Sequence, residues 1–279
     1  LLFAFIFWNL KVETEQASDS DSAQAGKKAI AYPQVWMGMI AIFLYVGVEV
    51  STASNLPELM KQEIGMETQN IAPYISLFWA SLMIGRWTSA SGALGLSGWR
   101  REIMRLILPL AAFGLFLTVN SKMGHSVSGF YSYLSVVALL VLADFVSKGN
   151  PSRQLMLYSL LGLVALLFGM NSGGMTSIMA FVSVGLFCST LWPCIFTLAI
   201  TGLGSQTSQG ANLLVMMIMG GGFISVSQGL LADPAYLGIK NSYWVGVVCF
   251  AYLAFYAWRV GKQLRDQGLE VSAVEGGGH

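Results

Sequence analysis

Met37–Leu56 reads MGMIAIFLYVGVEVSTASNL. Most of it suits hydrocarbon, and with the residues from Pro33 onward it reaches the length a helix needs to cross a bilayer, about 20 residues. Glu49 interrupts the run. An ionisable group at that depth is costly unless it faces a cavity, finds a partner or takes a proton. On a helix Tyr45, Glu49 and Thr52 fall at i, i+4 and i+7, on one face, and Asn55 extends that face. A hydroxyl, a carboxylate, an amide and an aromatic plate are what a hydrophilic solute needs from a helix lining a pocket. The stretch therefore predicts a membrane helix with one wet face. The bland alternative is a Glu tied structurally to a neighbouring helix.

The rest of the chain agrees with a membrane setting. Of its 279 residues 55% are hydrophobic and 10% charged, against about 25% charged in soluble domains. Lys11–Ala31, KVETEQASDSDSAQAGKKAIA, is polar and reads as a flexible linker. Eight apolar windows follow: Pro33–Leu59, Ile71–Leu94, Glu102–Asn120, Gly129–Val146, Gln154–Met170, Met175–Thr201, Ala211–Leu231 and Ser242–Val260. They are far too long for barrel strands, and helices satisfy their own backbone in lipid. If the linker is cytoplasmic, twelve of the 15 Lys and Arg share its side, Arg86, Arg100 and Arg101 among them. Only Lys61, Lys122 and Lys240 fall on the other. This positive-inside bias puts the linker and the C-terminal tail in the cytoplasm, with an even number of spans between them. Leu1–Leu10, LLFAFIFWNL, is too short to span and lacks the basic start of a signal peptide. It reads as the end of a helix that begins earlier.

Several function classes drop out. The net charge of +1 comes with no basic face for nucleic acid. Cys188, Cys194 and Cys249 lie in apolar runs and act as small apolar residues rather than a disulfide framework. The two histidines, His125 in an expected loop and His279 at the last position, assemble neither a metal site nor a catalyst, so no catalytic residue, metal ligand or cofactor is assigned and an enzyme is not expected. Arg86, counted about 15 residues into its span, lies about 22 Å deep, whereas Glu49 lies about 9 Å below Asn55. That separation of about 13 Å argues against a direct pair and assigns Arg86 to the cytoplasmic side. Asp144 reads as a solvated residue at the inner end of its span. Ser189, Thr190, Trp192 and Asn212 add polar groups that with Glu49 suggest a path between helices, although such groups also bond helix to helix.

Four segments carry a family resemblance. AIFLYVGVEV (Ala41–Val50), IGRWTSA (Ile84–Ala90), LWPCIFTLAITGLGSQTSQGANLLVMMIMGGGF (Leu191–Phe223) and QGLLAD (Gln228–Asp233) resemble the C-terminal half of sugar:proton symporters of the fucose permease type, within the major facilitator superfamily. The resemblance covers most of Pro33–Gly261. It implies an all-α membrane protein of the inner or plasma membrane, built as two six-helix halves that rock around a central sugar site, with this chain as the second half. Residues 1–10 would end the sixth helix, 11–32 would be the cytoplasmic linker, 33–261 the C-terminal bundle and 262–279 a cytoplasmic tail. Tyr45, Glu49, Thr52 and Asn55 on the seventh helix, Trp192 on the tenth, and Asn212 would line the transport path. Pro193, Gly220, Gly221 and Gly222 would be bending points, or else sites of close packing. Arg86, Arg100 and Arg101 would border the cytoplasmic loop. The implied partners are a monosaccharide, protons as coupling ion, the bilayer and the N-terminal half of the same transporter. A six-helix half leaves two windows over, so residues 102–147 are expected to be an inserted hairpin at the edge of the bundle. A transporter for another small polar solute, or a transporter-like sugar sensor, uses the same residue types.

Overall fold

The computed structural model describes residues 28–90 and 99–269. The expectations for residues 1–27 and 270–279 lie outside these, as does the side chain of Arg101. Every regular element among the described residues is helical, as the bilayer requires of segments with no water to satisfy their backbone.

Among the described residues each of the eight windows is helical, the second being described as far as Ala90. α1 is Pro33–Ile64, α2 Thr68–Ala90, α3 Trp99–Lys122 and α4 Leu134–Ser147, the last entered through a 3-10 turn at Ser128–Tyr133. α5 is Pro151–Asn171, and α6 (Gly174–Cys188) with α7 (Leu191–Ile200) makes the next span. α8 (Thr207–Met216) and α9 (Gly220–Leu231) form another, joined by a 3-10 turn at Met217–Met219. α10 (Gly238–Asn241) leads into α11, Trp244–Asp266. Seven of these segments are long and apolar enough to cross a membrane by length and composition. α2 matches them in length, at 23 residues, but carries Gln69, Asn70 and Arg86 and is less apolar.

Local chemistry sets the ends. Pro33 sits at the first position of α1, where its missing N–H costs nothing. Pro57 is accommodated inside the helix, which runs on to Ile64 instead of stopping near Leu59. Gly65, at φ 63, then turns the chain, its N–H donating to the Lys61 carbonyl. Asn150 caps α5 by accepting from the Arg153 N–H at 3.1 Å. Between α6 and α7 the helix breaks at Ser189–Thr190, just before the expected Trp192-Pro193. Pro193 has no N–H to give the Ser189 carbonyl, so the ladder fails one turn upstream.

α1 is the central helix, in contact with α2, α6, α7, α8, α9 and α11. α11 packs on α1 and α5, and its tyrosines reach the start of α1. The Tyr252 hydroxyl donates to the Met37 carbonyl at 3.1 Å and Tyr256 to the Gln34 carbonyl at 3.4 Å. α9 lies directly on α1. A Cβ at Gly220 would come within 2.0 Å of the Phe43 carbonyl oxygen, so only glycine permits this approach. The far tip of α1 is tied down as well: Lys240 on α10 pairs with Glu63 at 2.8 Å and donates to the Ser172 carbonyl.

α3 and α4 lie at the margin. α3 packs on α2 and α4, and leaves Leu106, Ile107, Leu110 and Leu115 exposed, a face for lipid. α4 leans on α5 and α6. The join is polar. Arg105 of α3 donates to Asp144 Oδ2 of α4 at 2.7 Å and to the Asp144 carbonyl at 2.9 Å. Gln154 of α5 donates to Asp144 Oδ1 at 3.2 Å, and the Cys194 thiol of α7 reaches Gln154 Oε1 at 3.6 Å. Asp144 is thus a buried, partnered carboxylate and not the solvated boundary residue expected. The correction comes from Arg105, 39 residues away in sequence, which arrives through the α3–α4 packing.

Candidate functional site

Glu49 opens into a cavity of about 280 Å³ lined by Trp79, Leu82, Met83, Arg86 and Trp87 of α2. The α2 residues recur at helical spacing, i, i+3/4 and i+7/8, and so form one face of that helix. Trp79 and Trp87, both in the cavity wall, remain 46% and 39% exposed. Tyr45, one turn below Glu49 on α1, is buried, and its hydroxyl donates to Glu49 Oε2. The Tyr45 ring meets Trp192 of α7 with centroids 6.3 Å apart. Trp192 stacks on Phe196 at 6.4 Å. The aromatic surface thus runs from α7 under α1 toward the cavity, with one carboxylate and one guanidinium at its edge.

Arg86 in this cavity corrects the depth count. That count placed the end of α1 at Asn55, whereas α1 continues to Ile64 and α2 starts at Thr68. Measured from the Gly65 turn, Glu49 lies about 22 Å along its helix and Arg86 about 27 Å along the next. The two charged residues therefore share a level and line one cavity. Arg86 is a cavity residue within α2 and not a loop residue. Arg100 is exposed in the first turn of α3, with Arg101 following it in that helix.

The other expected path residues divide. Tyr45, Glu49 and Trp192 come together. Thr52 is fully buried, its hydroxyl without a partner among the described residues, and Tyr243, just before α11, reaches its carbonyl at 3.4 Å. It therefore lies under neighbouring helices and departs from the expected open stripe, because α1 is surrounded along most of its length. Asn55 is half-buried and gives its amide to the Ser51 carbonyl at 2.9 Å. Asn212 is exposed on α8 and lies outside the Glu49 cavity. Pro193 stands in the first turn of α7, and Gly221 and Gly222 in the first turn of α9. Trp79, Met83 and Trp87 were missed. Their signal is the run Trp79, Met83 and Trp87 at intervals of four, one face of a spanning helix with Arg86 beside it.

Comparison with known proteins places this geometry. No protein-family model matches the chain. A solved structure of the Escherichia coli fucose:proton symporter FucP superposes with a TM-score of 0.62 at 21% identity, over 93% of this chain and 52% of FucP. A second, described as a major facilitator superfamily transporter in the outward conformation, gives 0.58 at 21% identity over 83% and 44%. The fold is that of a major facilitator transporter. In sequence, the chain is 26% identical over 260 residues to a protein named glucose/galactose transporter from Brucella abortus (strain 2308), covering 91% of this chain and 49% of that one. It is 30% identical over 112 residues to the L-fucose-proton symporter of Escherichia coli (strain K12), covering 40% and 25%. The resemblance to sugar symporters of the fucose permease type holds, and these relatives are transporters rather than enzymes. The chain spans about half the length of the glucose/galactose transporters it matches. It is a multi-pass membrane protein.

Proposed function

We propose that this chain forms the C-terminal half of a secondary transporter that carries a monosaccharide with a proton by alternating access. The observation that carries the reading is the Glu49 cavity: a carboxylate held by Tyr45, walled by tryptophans and open on one side, inside a membrane bundle. Sugars need hydrogen-bonding groups around their hydroxyls and apolar ring faces against their C–H surfaces, and the cavity supplies both. The names of the sequence relatives, glucose/galactose transporter and L-fucose-proton symporter, support the same substrate class. Glu49 is the one carboxylate among the cavity residues, which makes it the candidate for binding a hydroxyl, taking a proton, or both.

The partner in this reading is an N-terminal half that closes the open side of the cavity across a central path. Residues 11–32 join the two halves on the cytoplasmic side, and the tail after Gly261 lies there too. Residues 102–147 form an added hairpin outside the transport path, in keeping with the marginal packing of α3. The breaks before Pro193 and at Met217–Met219 supply bending points. The test is uptake of labelled glucose, galactose and fucose into proteoliposomes holding the full-length protein, with and without an inward proton gradient. Gradient-driven uptake of one sugar that Glu49→Gln abolishes is expected. Uptake unchanged by that substitution makes Glu49 structural, and uptake of no sugar removes the sugar reading.

A further inference from the structure

Arg86 is the second charged group of the cavity, yet it belongs to none of the three ion pairs found among the described residues, which join Arg105 to Glu102 and Asp144, and Lys240 to Glu63. Tyr45 takes up Oε2 of Glu49, while among the described residues no side chain bonds Oε1. Glu49 and Arg86 therefore line the same space of about 280 Å³ with no ion pair between them. Their walls are the rings of Trp79 and Trp87, both substantially exposed.

Two opposite charges held apart across an opening select by charge. An anionic solute drawn to Arg86 meets Glu49, and a cationic one drawn to Glu49 meets Arg86. A neutral polyol suits both at once. One hydroxyl gives its hydrogen to the carboxylate, and the neighbouring hydroxyl oxygen accepts from the guanidinium. Hydrogen bonds to charged groups are the stronger kind, and a planar fork with fixed donors orients the ring it holds. The fixed Tyr45 bond keeps Oε1 as the free acceptor. We propose that Arg86 and Glu49 form a two-point clamp on adjacent hydroxyls of a neutral sugar, Arg86 donating and Glu49 accepting. Arg86 is then a binding and specificity residue of the transport site. This inference rests on the sugar reading above.

The tryptophans supply the measurement. Titration of the purified full-length protein, followed by intrinsic fluorescence, reports binding next to Trp79 and Trp87. The ligands are glucose, galactose, fucose, their monodeoxy analogues and galacturonate, and the proteins are wild type, Arg86→Gln, Arg86→Lys and Glu49→Gln. For the sugar that binds, Arg86→Gln is expected to weaken affinity about tenfold or more. Arg86→Lys keeps the charge but loses the fork, and is expected to recover only part. The decisive result is positional. For one deoxy analogue Arg86→Gln costs nothing further, and for the analogue lacking the adjacent hydroxyl Glu49→Gln costs nothing further. An equal loss across all analogues, no loss at all, or preferential binding of galacturonate overturns the clamp while sugar binding by wild type stands. Wild type that binds none of the sugars overturns the sugar reading and the clamp together.

Discussion

The Tyr45–Glu49 hydrogen bond is the most local piece of chemistry at the site. It joins residues four apart on one helix, so it survives any rigid movement of α1. Tyr45 is almost fully covered, and its hydroxyl donates to Glu49 at the cavity wall. Tyr45→Phe deletes the donor and leaves the carboxylate to find another, a change worth on the order of 1–3 kcal/mol for a buried group. The expected outcome is a raised KM for sugar with a melting temperature lowered by a few degrees, measured by uptake and by thermal unfolding of the same preparation. An unchanged KM would show that the hydroxyl does not orient Glu49. The pairing was legible at the level of residues, because i and i+4 face one way on any helix. Arg86 was not legible, since its position depended on where α1 ends, and the apolar pattern gives out around Asn55 although the helix continues to Ile64. Thr52 failed for a related reason: periodicity says which face a residue occupies, not which helices cover that face.

At the scale of elements, the α3–α4 pair and its polar clasp are the part with most to test. Arg105 and Asp144 have side chains only 12% and 8% exposed, and Gln154 and Cys194 carry the contact on to α5 and α7. Arg105 also covers the Phe145 ring, 4.8 Å from its centroid. Arg105→Ala strips a buried carboxylate of its charge partner, and such losses cost about 3–5 kcal/mol. Replacing both, as Arg105→Met with Asp144→Leu, is expected to restore most of that stability, because no charge is then left buried. Thermal unfolding of the full-length protein in detergent compares the two. A double variant as weak as the single one would mean the pair fixes geometry that apolar groups do not. The windows for α3 and α4 were readable from hydropathy alone. The clasp was not, because its halves sit 39 residues apart on the two arms of the hairpin, and only packing brings them together.

At the scale of the molecule, the order of spans and the charge asymmetry of the loops make a topological prediction. The three cysteines of this chain are buried, and the protein without an introduced cysteine, labelled in parallel, gives the background. Met123→Cys, in the exposed α3–α4 turn, is expected to react with a membrane-impermeant maleimide from outside intact cells. Arg153→Cys, exposed at the start of α5, is expected to react only after the membrane is opened. The reverse pattern would invert the orientation derived from Lys and Arg. The length of α1 carries a mechanical consequence. Its 32 residues span about 48 Å, well beyond a hydrocarbon core of about 30 Å. Lys240 and the Ser172 carbonyl fasten its tip at Glu63, and Tyr252 and Tyr256 hold its start, so α1 is a beam braced at both ends with Glu49 about midway between the braces. The groups that grip its two ends therefore set the level of the carboxylate from a distance, without touching the cavity.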